Sequence, residues 1–182
     1  MRAVSLLVLL GLMGCASSGT TIERPATPQT VRVTGSAAGN LSVGMTATTD
    51  AKVTRVTAAP ADVWRVLPGV FDSFAIPLSS VDDKTRVLGN SGFNIRRRLG
   101  SIPLTRLIDC GTTQGGPSAD TYDIRLSVLT QVMPGEGGGS SIVTTVDAMG
   151  RPVAFAGEYV RCSSSGSLET RIAEAVQAQL RK

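Results

Sequence analysis

Residues 122–132 place Tyr122, Ile124, Leu126, Val128 and Val132 on one face of an extended chain and Asp123, Arg125, Ser127 and Gln131 on the other. This period of two is that of a strand with one buried and one wet face, because side chains alternate across a strand but recur every 3.6 residues on a helix. Such a strand needs neighbours, and the flanking sequence supplies them. Gly135-Glu136-Gly137-Gly138-Gly139 reads as a hairpin tip. Residues 142–149 and 153–162 read as the next two strands, with Arg151-Pro152 at the turn between them. Upstream, the β-branched run 52–57 is a strand, and 85–89, 93–99 and 104–110 are further candidates.

Two segments change the period. After Pro60, which a helix tolerates in its first turn, Val63, Trp64, Leu67, Val70, Phe71 and Phe74 recur at three- and four-residue spacing. Pro68-Gly69 predicts a kink or two consecutive short helices within that run. At the end of the chain Leu168, Ile172, Val176 and Leu180 follow at intervals of four, with Ser165 or Ser167 as cap. Glu169 near the start and Arg181-Lys182 at the end suit the helix dipole, and Ala173, Ala175 and Ala178 leave room for close approach to a sheet. The order strand, interrupted helix, several antiparallel strands, terminal helix predicts an α+β domain whose antiparallel sheet wraps the last helix.

The N-terminus constrains where this domain folds. Arg2 precedes an uncharged run from Ala3 to Gly14, about 18 Å long as a helix. That is too short for a hydrocarbon core of about 30 Å, so the segment reads as a signal peptide and not as a membrane span. Leu12-Met13-Gly14-Cys15 resembles the lipobox of bacterial lipoproteins. The resemblance implies cleavage before Cys15 and lipidation of its thiol. Ala16 stands where an aspartate is the familiar inner-membrane retention signal, so the resemblance favours the outer membrane, facing the periplasm.

Export sets the redox context. With Cys15 lipidated, Cys110 and Cys162 remain, an even pair in an oxidising compartment. They are expected to form a disulfide, with two separate buried thiols as the alternative. Cleavage also removes Arg2 and so takes one charge from the precursor's +4. A mildly positive protein suits anionic lipid surfaces, and export excludes a nucleic-acid partner. The expected organisation is a signal peptide over 1–14, a lipidated flexible tether over 15–50 and one folded domain over 51–182. The tether is rich in Ser, Thr, Gly and Ala and poor in large apolar residues. Two short β-like runs within it, 30–33 and 41–43, are candidates for edge pairing.

Val56-Thr57-Ala58-Ala59-Pro60-Ala61-Asp62-Val63-Trp64-Arg65-Val66-Leu67 resembles the strand-to-helix opening of helix-grip domains. Continued through Phe74-Ala75-Ile76 to Asp82-Asp83-Lys84-Thr85, it is similar to the helix-grip units of the BamC lipoproteins of the outer-membrane β-barrel assembly machinery. The pattern covers about 30 residues, within a topology that would span 52–182. BamC lipoproteins carry two such domains, and this chain has room for one. The resemblance implies a lipid anchor, a tether, a helix-grip domain and a role as an accessory to outer-membrane assembly.

Chemistry is sparse. The chain has no histidine, which removes the commonest general base, metal ligand and triad member together. It has no phosphate-cradling loop with a lysine, no nucleophile elbow and no cysteine-pair zinc spacing. Lys52, Lys84 and Lys182 are the only lysines, and none lies in a Ser-x-x-Lys arrangement. Asp82-Asp83, and Asp120 with Asp123, lie beside turn-like segments, where Asp commonly binds local backbone. The expectation is therefore a non-enzyme with no cofactor and no metal site. Arg96-Arg97-Arg98 is the one charge cluster: in a strand, Arg96 and Arg98 share a polar face and could meet lipid phosphates or an acidic partner, while Arg97 points the other way. A solvated outer face that discourages edge aggregation is the plainer alternative. Trp64 reads as a core anchor before it reads as part of a ligand pocket. Two functions follow: an envelope domain that binds a protein partner, or a carrier holding an apolar ligand between sheet and terminal helix.

Overall fold

The computed structural model describes residues 28–33, 41–46, 51–154 and 157–182. The expected signal peptide, its expected cleavage site and Cys15 lie outside the described residues. Strands β1 (Pro28–Val33) and β2 (Leu41–Thr46) pair antiparallel, with Val31 opposite Val43. They form a two-stranded sheet of their own, so the β-like runs of the tether segment pair with each other and not with the domain's sheet.

The domain opens with β3 (Lys52–Val56) and α1 (Pro60–Ser73). Pro60 occupies the first turn, and Val63, Leu67, Val70 and Phe71 are fully buried on one stripe. The predicted interruption does not occur: α1 runs continuously through Pro68. Pro68 and Gly69 lie on the exposed side, where the Trp64 carbonyl deprived of its helical N–H can be solvated. The helix stops in a Schellman arrangement. Ala75 N–H donates to Asp72 O at 2.9 Å and Ile76 N–H to Phe71 O at 3.0 Å, with Ala75 left-handed at φ 56°. Ile76 and Phe71, which that motif brings together, are both buried.

Strands β4 (Ser80–Asp82) and β5 (Val87–Ile95) follow. The sequence predicted separate strands over 85–89 and 93–99. Instead one strand spans the gap and ends at Ile95, with a bulge facing β11. The tiny hairpin β6 (Arg98–Leu99) and β7 (Ile102–Pro103) comes next, then a 3₁₀ turn (Leu104–Arg106) and β8 (Ile108–Asp109). The predicted strand 104–110 is thus mostly turn. A second small pair, β9 (Thr112–Thr113) and β10 (Gly116–Pro117), leads into the single turn α2 (Ser118–Thr121).

The long hairpin of β11 (Tyr122–Pro134) and β12 (Ser140–Pro152) is the spine of the sheet, in unbroken register from Tyr122 opposite Pro152 to Pro134 opposite Ser140. Its tip is the predicted glycine segment. Arg151 and Pro152 belong to β12 and not to a turn, and the next strand, β13, is only Val160–Ser164. Helix α3 (Ser167–Gln179) closes the domain. The sheet runs β4-β5-β11-β12-β13-β8, all antiparallel, with β3 beside the tip-proximal half of β12 and β13 beside the other half.

This is an α+β fold in which α1 and α3 lie together on one sheet face. The inward residues Ile124, Leu126, Val128, Ile142 and Val146 share one core with Leu168, Ile172 and Val176 of α3, all at most 2% exposed. Burying one such side chain stabilises by roughly 1.5–3 kcal/mol, and α3, short for a helix standing alone, depends on that packing. Thr130 and Thr144 face each other across the hairpin, and their buried hydroxyls pair at 3.0 Å. Ala173 is buried and Ala175 half-buried as expected, but Ala178 faces solvent.

Candidate functional site

The sequence singled out Arg96 and Arg98 as neighbours on one strand face. The structure separates them. Arg97 takes left-handed backbone at φ 64°, which ends the strand and turns the chain into β6. Arg98 N–H donates to Arg96 O at 2.7 Å, and Leu104 N–H to Arg97 O at 2.8 Å. The two side chains go different ways. Arg96 pairs with Asp123 at 2.8 Å, while Arg98 donates to the carbonyl of Ser101. Each therefore has a local partner of its own.

Cys110 and Cys162 are joined, with Cα atoms 4.2 Å apart. The ladder explains it: Ser163 pairs with Asp109, so the same antiparallel register places Cys162 opposite Cys110. The bond ties β13 to the irregular segment after β8 and is structural in position.

Of the acidic candidates Asp82 does turn chemistry, while Asp123 lies in β11 and pairs with Arg96. Asp82 accepts Lys84 N–H at 2.9 Å, Thr85 N–H at 3.3 Å and Thr85 Oγ1 at 2.8 Å. The Thr85 hydroxyl, then the two backbone N–H groups, hold its carboxyl below its ordinary value of 3.8. Asp83 accepts the Trp64 indole N–H at 3.0 Å, so Trp64 packs against the core while its polar tip anchors the turn between β4 and β5. Among the described residues, no group of His, Cys, Asp and Glu could hold a metal ion.

Glu169 departs from expectation. It is 2% exposed; Ser164 Oγ donates to its Oε1 at 2.7 Å, and Oε2 has no partner among the described residues. The helix start beside it is Gly166 at φ 73°, without a side-chain cap. Ser165 Oγ accepts the N–H of Ser167, the first residue of α3, at 3.3 Å, and its hydroxyl donates to the carbonyls of Arg106 and Leu107 at 2.9 and 3.0 Å.

The concave surface lies where the sequence pointed to nothing. An open groove of about 450 Å³ runs between the end of β3 and the C-terminal turn of α3, lined by Arg55, Val56, Thr57, Ala58, Gln177, Leu180 and Arg181. A second of about 270 Å³ continues from Arg55–Thr57 to the hairpin tip at Gly135, Glu136 and Gly139. Ser140 Oγ donates to Ala58 O at 2.6 Å and fixes the tip against the chain that leaves β3. Gly139 is required there, since a Cβ on it would lie 2.7 Å from Val56 O. These grooves join residues some 80 and 120 positions apart, and no local motif announces them.

The fold and grooves define an α+β domain with outward-opening edge grooves of mixed polar and apolar lining. The chain matches no protein-family profile and no curated protein sequence. No helix among the described residues is long and apolar enough to cross a membrane.

Proposed function

We propose that this chain is a lipid-anchored protein of the bacterial cell envelope, held through Cys15, whose domain binds a protein partner and catalyses no reaction. The observation that supports the binding reading is the contrast between inside and edge. The face of α3 toward the sheet is buried, with Leu168, Ile172 and Val176 at 0% exposure, while two open grooves lie at the end of the edge strand β3. A carrier needs apolar volume between helix and sheet. The larger groove has volume enough, but Arg55, Thr57, Gln177 and Arg181 share its lining and it opens beside the helix end. The resemblance to BamC lipoproteins adds the expectation that the partner belongs to outer-membrane assembly.

The anchor is tested by metabolic labelling with an alkyne fatty acid: the parent chain takes up label, and Cys15→Ser takes up none and keeps its signal segment. Label on Cys15→Ser would reject the anchor. Binding is tested by photo-crosslinking residues from several surface positions in intact cells. Discrete protein adducts are expected; apolar ligand recovered from the purified chain, with no protein adduct, would favour the carrier.

A further inference from the structure

The partner-binding reading says nothing of how a partner is held. We propose that the free edge of β3 takes up an extended, acidic polypeptide segment as an added strand of the sheet. This rests on the partner-binding reading above.

Three observations carry it. First, β3 has an edge with no strand beside it among the described residues. It is a five-residue strand paired with β12 on its other side. In antiparallel pairing alternate residues turn their N–H and C=O away from the neighbour, so β3 presents backbone groups along about 17 Å that have no partner among the described residues.

Second, the edge lacks two of the usual devices against pairing, a proline and a bulge, and the charge it keeps in the open is Arg55. The register of β3 with β12 runs from Val56 opposite Ser140 to Lys52 opposite Thr144 without a break. Its one lysine is drawn off the edge, because Lys52 Nζ donates to Thr170 Oγ1 of α3 at 2.7 Å. Val53 is 60% exposed and offers an apolar contact to whatever lies alongside.

Third, the two grooves share Arg55, Val56 and Thr57 and so meet at the C-terminal end of β3, one toward α3 and the other toward the hairpin tip. Arg55 and Arg181 line the α3 end, and neither has an ion pair among the described residues. Arg181 Nε donates only to Gln177 O, at 3.1 Å. Main-chain pairing supplies affinity to any extended segment, and the two guanidinium groups select one with carboxylates at that end.

The test uses the full chain in detergent and labelled peptides of about ten residues, long enough to cover β3. One alternates Val and Thr with Glu, a second has Lys for Glu, and a third keeps the Glu residues but carries prolines. The first is expected to bind and to slow amide exchange at residues 53–57. Arg55→Glu and Arg181→Glu should each weaken it about tenfold or more. The neutral variants Arg55→Gln and Arg181→Gln, which disturb an exposed side chain least, should weaken it less. Equal binding of the Lys or proline peptide, or protection elsewhere on the domain, overturns the proposal. So does a concentration-dependent dimer blocked by the same substitutions, which would give the edge to a second copy. Crosslinking in cells separates the two levels of inference. Adducts to one protein from Thr145 on the outer sheet face, with none from Val53, would leave partner binding standing and remove the β3 edge. No protein adduct from any position would remove both.

Discussion

Asp82 is held in its charged form by three short-range donors, and it sits fully exposed at the turn between β4 and β5. Its folded pKa lies below the ordinary value of 3.8, so its contribution to stability is present above that value. The contribution is lost as pH falls through the lower, folded value. We predict that the stability difference between the parent and Asp82→Asn is seen near neutral pH and vanishes in strong acid. Carboxyl chemical shifts followed by NMR should place the Asp82 midpoint below those of unbonded aspartates; a midpoint at the ordinary value would mean the turn is not formed. Asx turns of this kind were legible in the sequence, because an Asp followed two and three residues later by backbone donors is a local pattern. The fates of Arg96 and Arg98 were not legible. They depended on Arg97 taking left-handed backbone, a conformation that non-glycine residues adopt uncommonly and that alternation gives no hint of.

At the scale of elements, α1 ends where Ala75 takes the left-handed position that glycine fills most easily. Glycine there removes the steric cost of the Cβ, so Ala75→Gly should raise stability by about 1 kcal/mol. The midpoint of urea unfolding checks this, and an unchanged or lowered midpoint would mean that the helix ends otherwise. Helix α3 gives the opposite kind of prediction. Ile172 is 0% exposed against the sheet, and Ile172→Asp would bury an unpaired charge, costing roughly 4 kcal/mol or more. Loss of the cooperative thermal transition is the expected result; a melt near the parent temperature would show α3 to be dispensable. The stripe of Leu168, Ile172, Val176 and Leu180 was readable from spacing alone. The continuity of α1 through Pro68 was not, because a proline's effect depends on whether solvent can reach the carbonyl it leaves unbonded, and that is a tertiary fact.

Across the whole molecule, the disulfide joins β13 to the segment following β8, its ends 52 positions apart in sequence. Closing a loop of that length restrains the unfolded chain by about 4 kcal/mol on the chain-entropy view. We predict that replacing Cys110 and Cys162 together with alanine lowers unfolding stability by about 2–4 kcal/mol, read from urea unfolding. A double variant as stable as the parent would mean that the bond adds nothing beyond the β8–β13 ladder. The sequence by itself determined the α+β class, the hairpin spine, the buried faces of α1 and α3 and the cysteine pairing. Each follows from periodicity, turn chemistry or counting, which are properties of neighbouring residues or of composition. Tertiary structure alone decided which strand was left with an open edge, where β5 ended, and that Glu169 of the first helical turn would be buried. It alone brought Arg55 beside Arg181. An edge exists only relative to the partners a strand lacks, and a groove only between elements distant along the chain, so no local pattern encodes either.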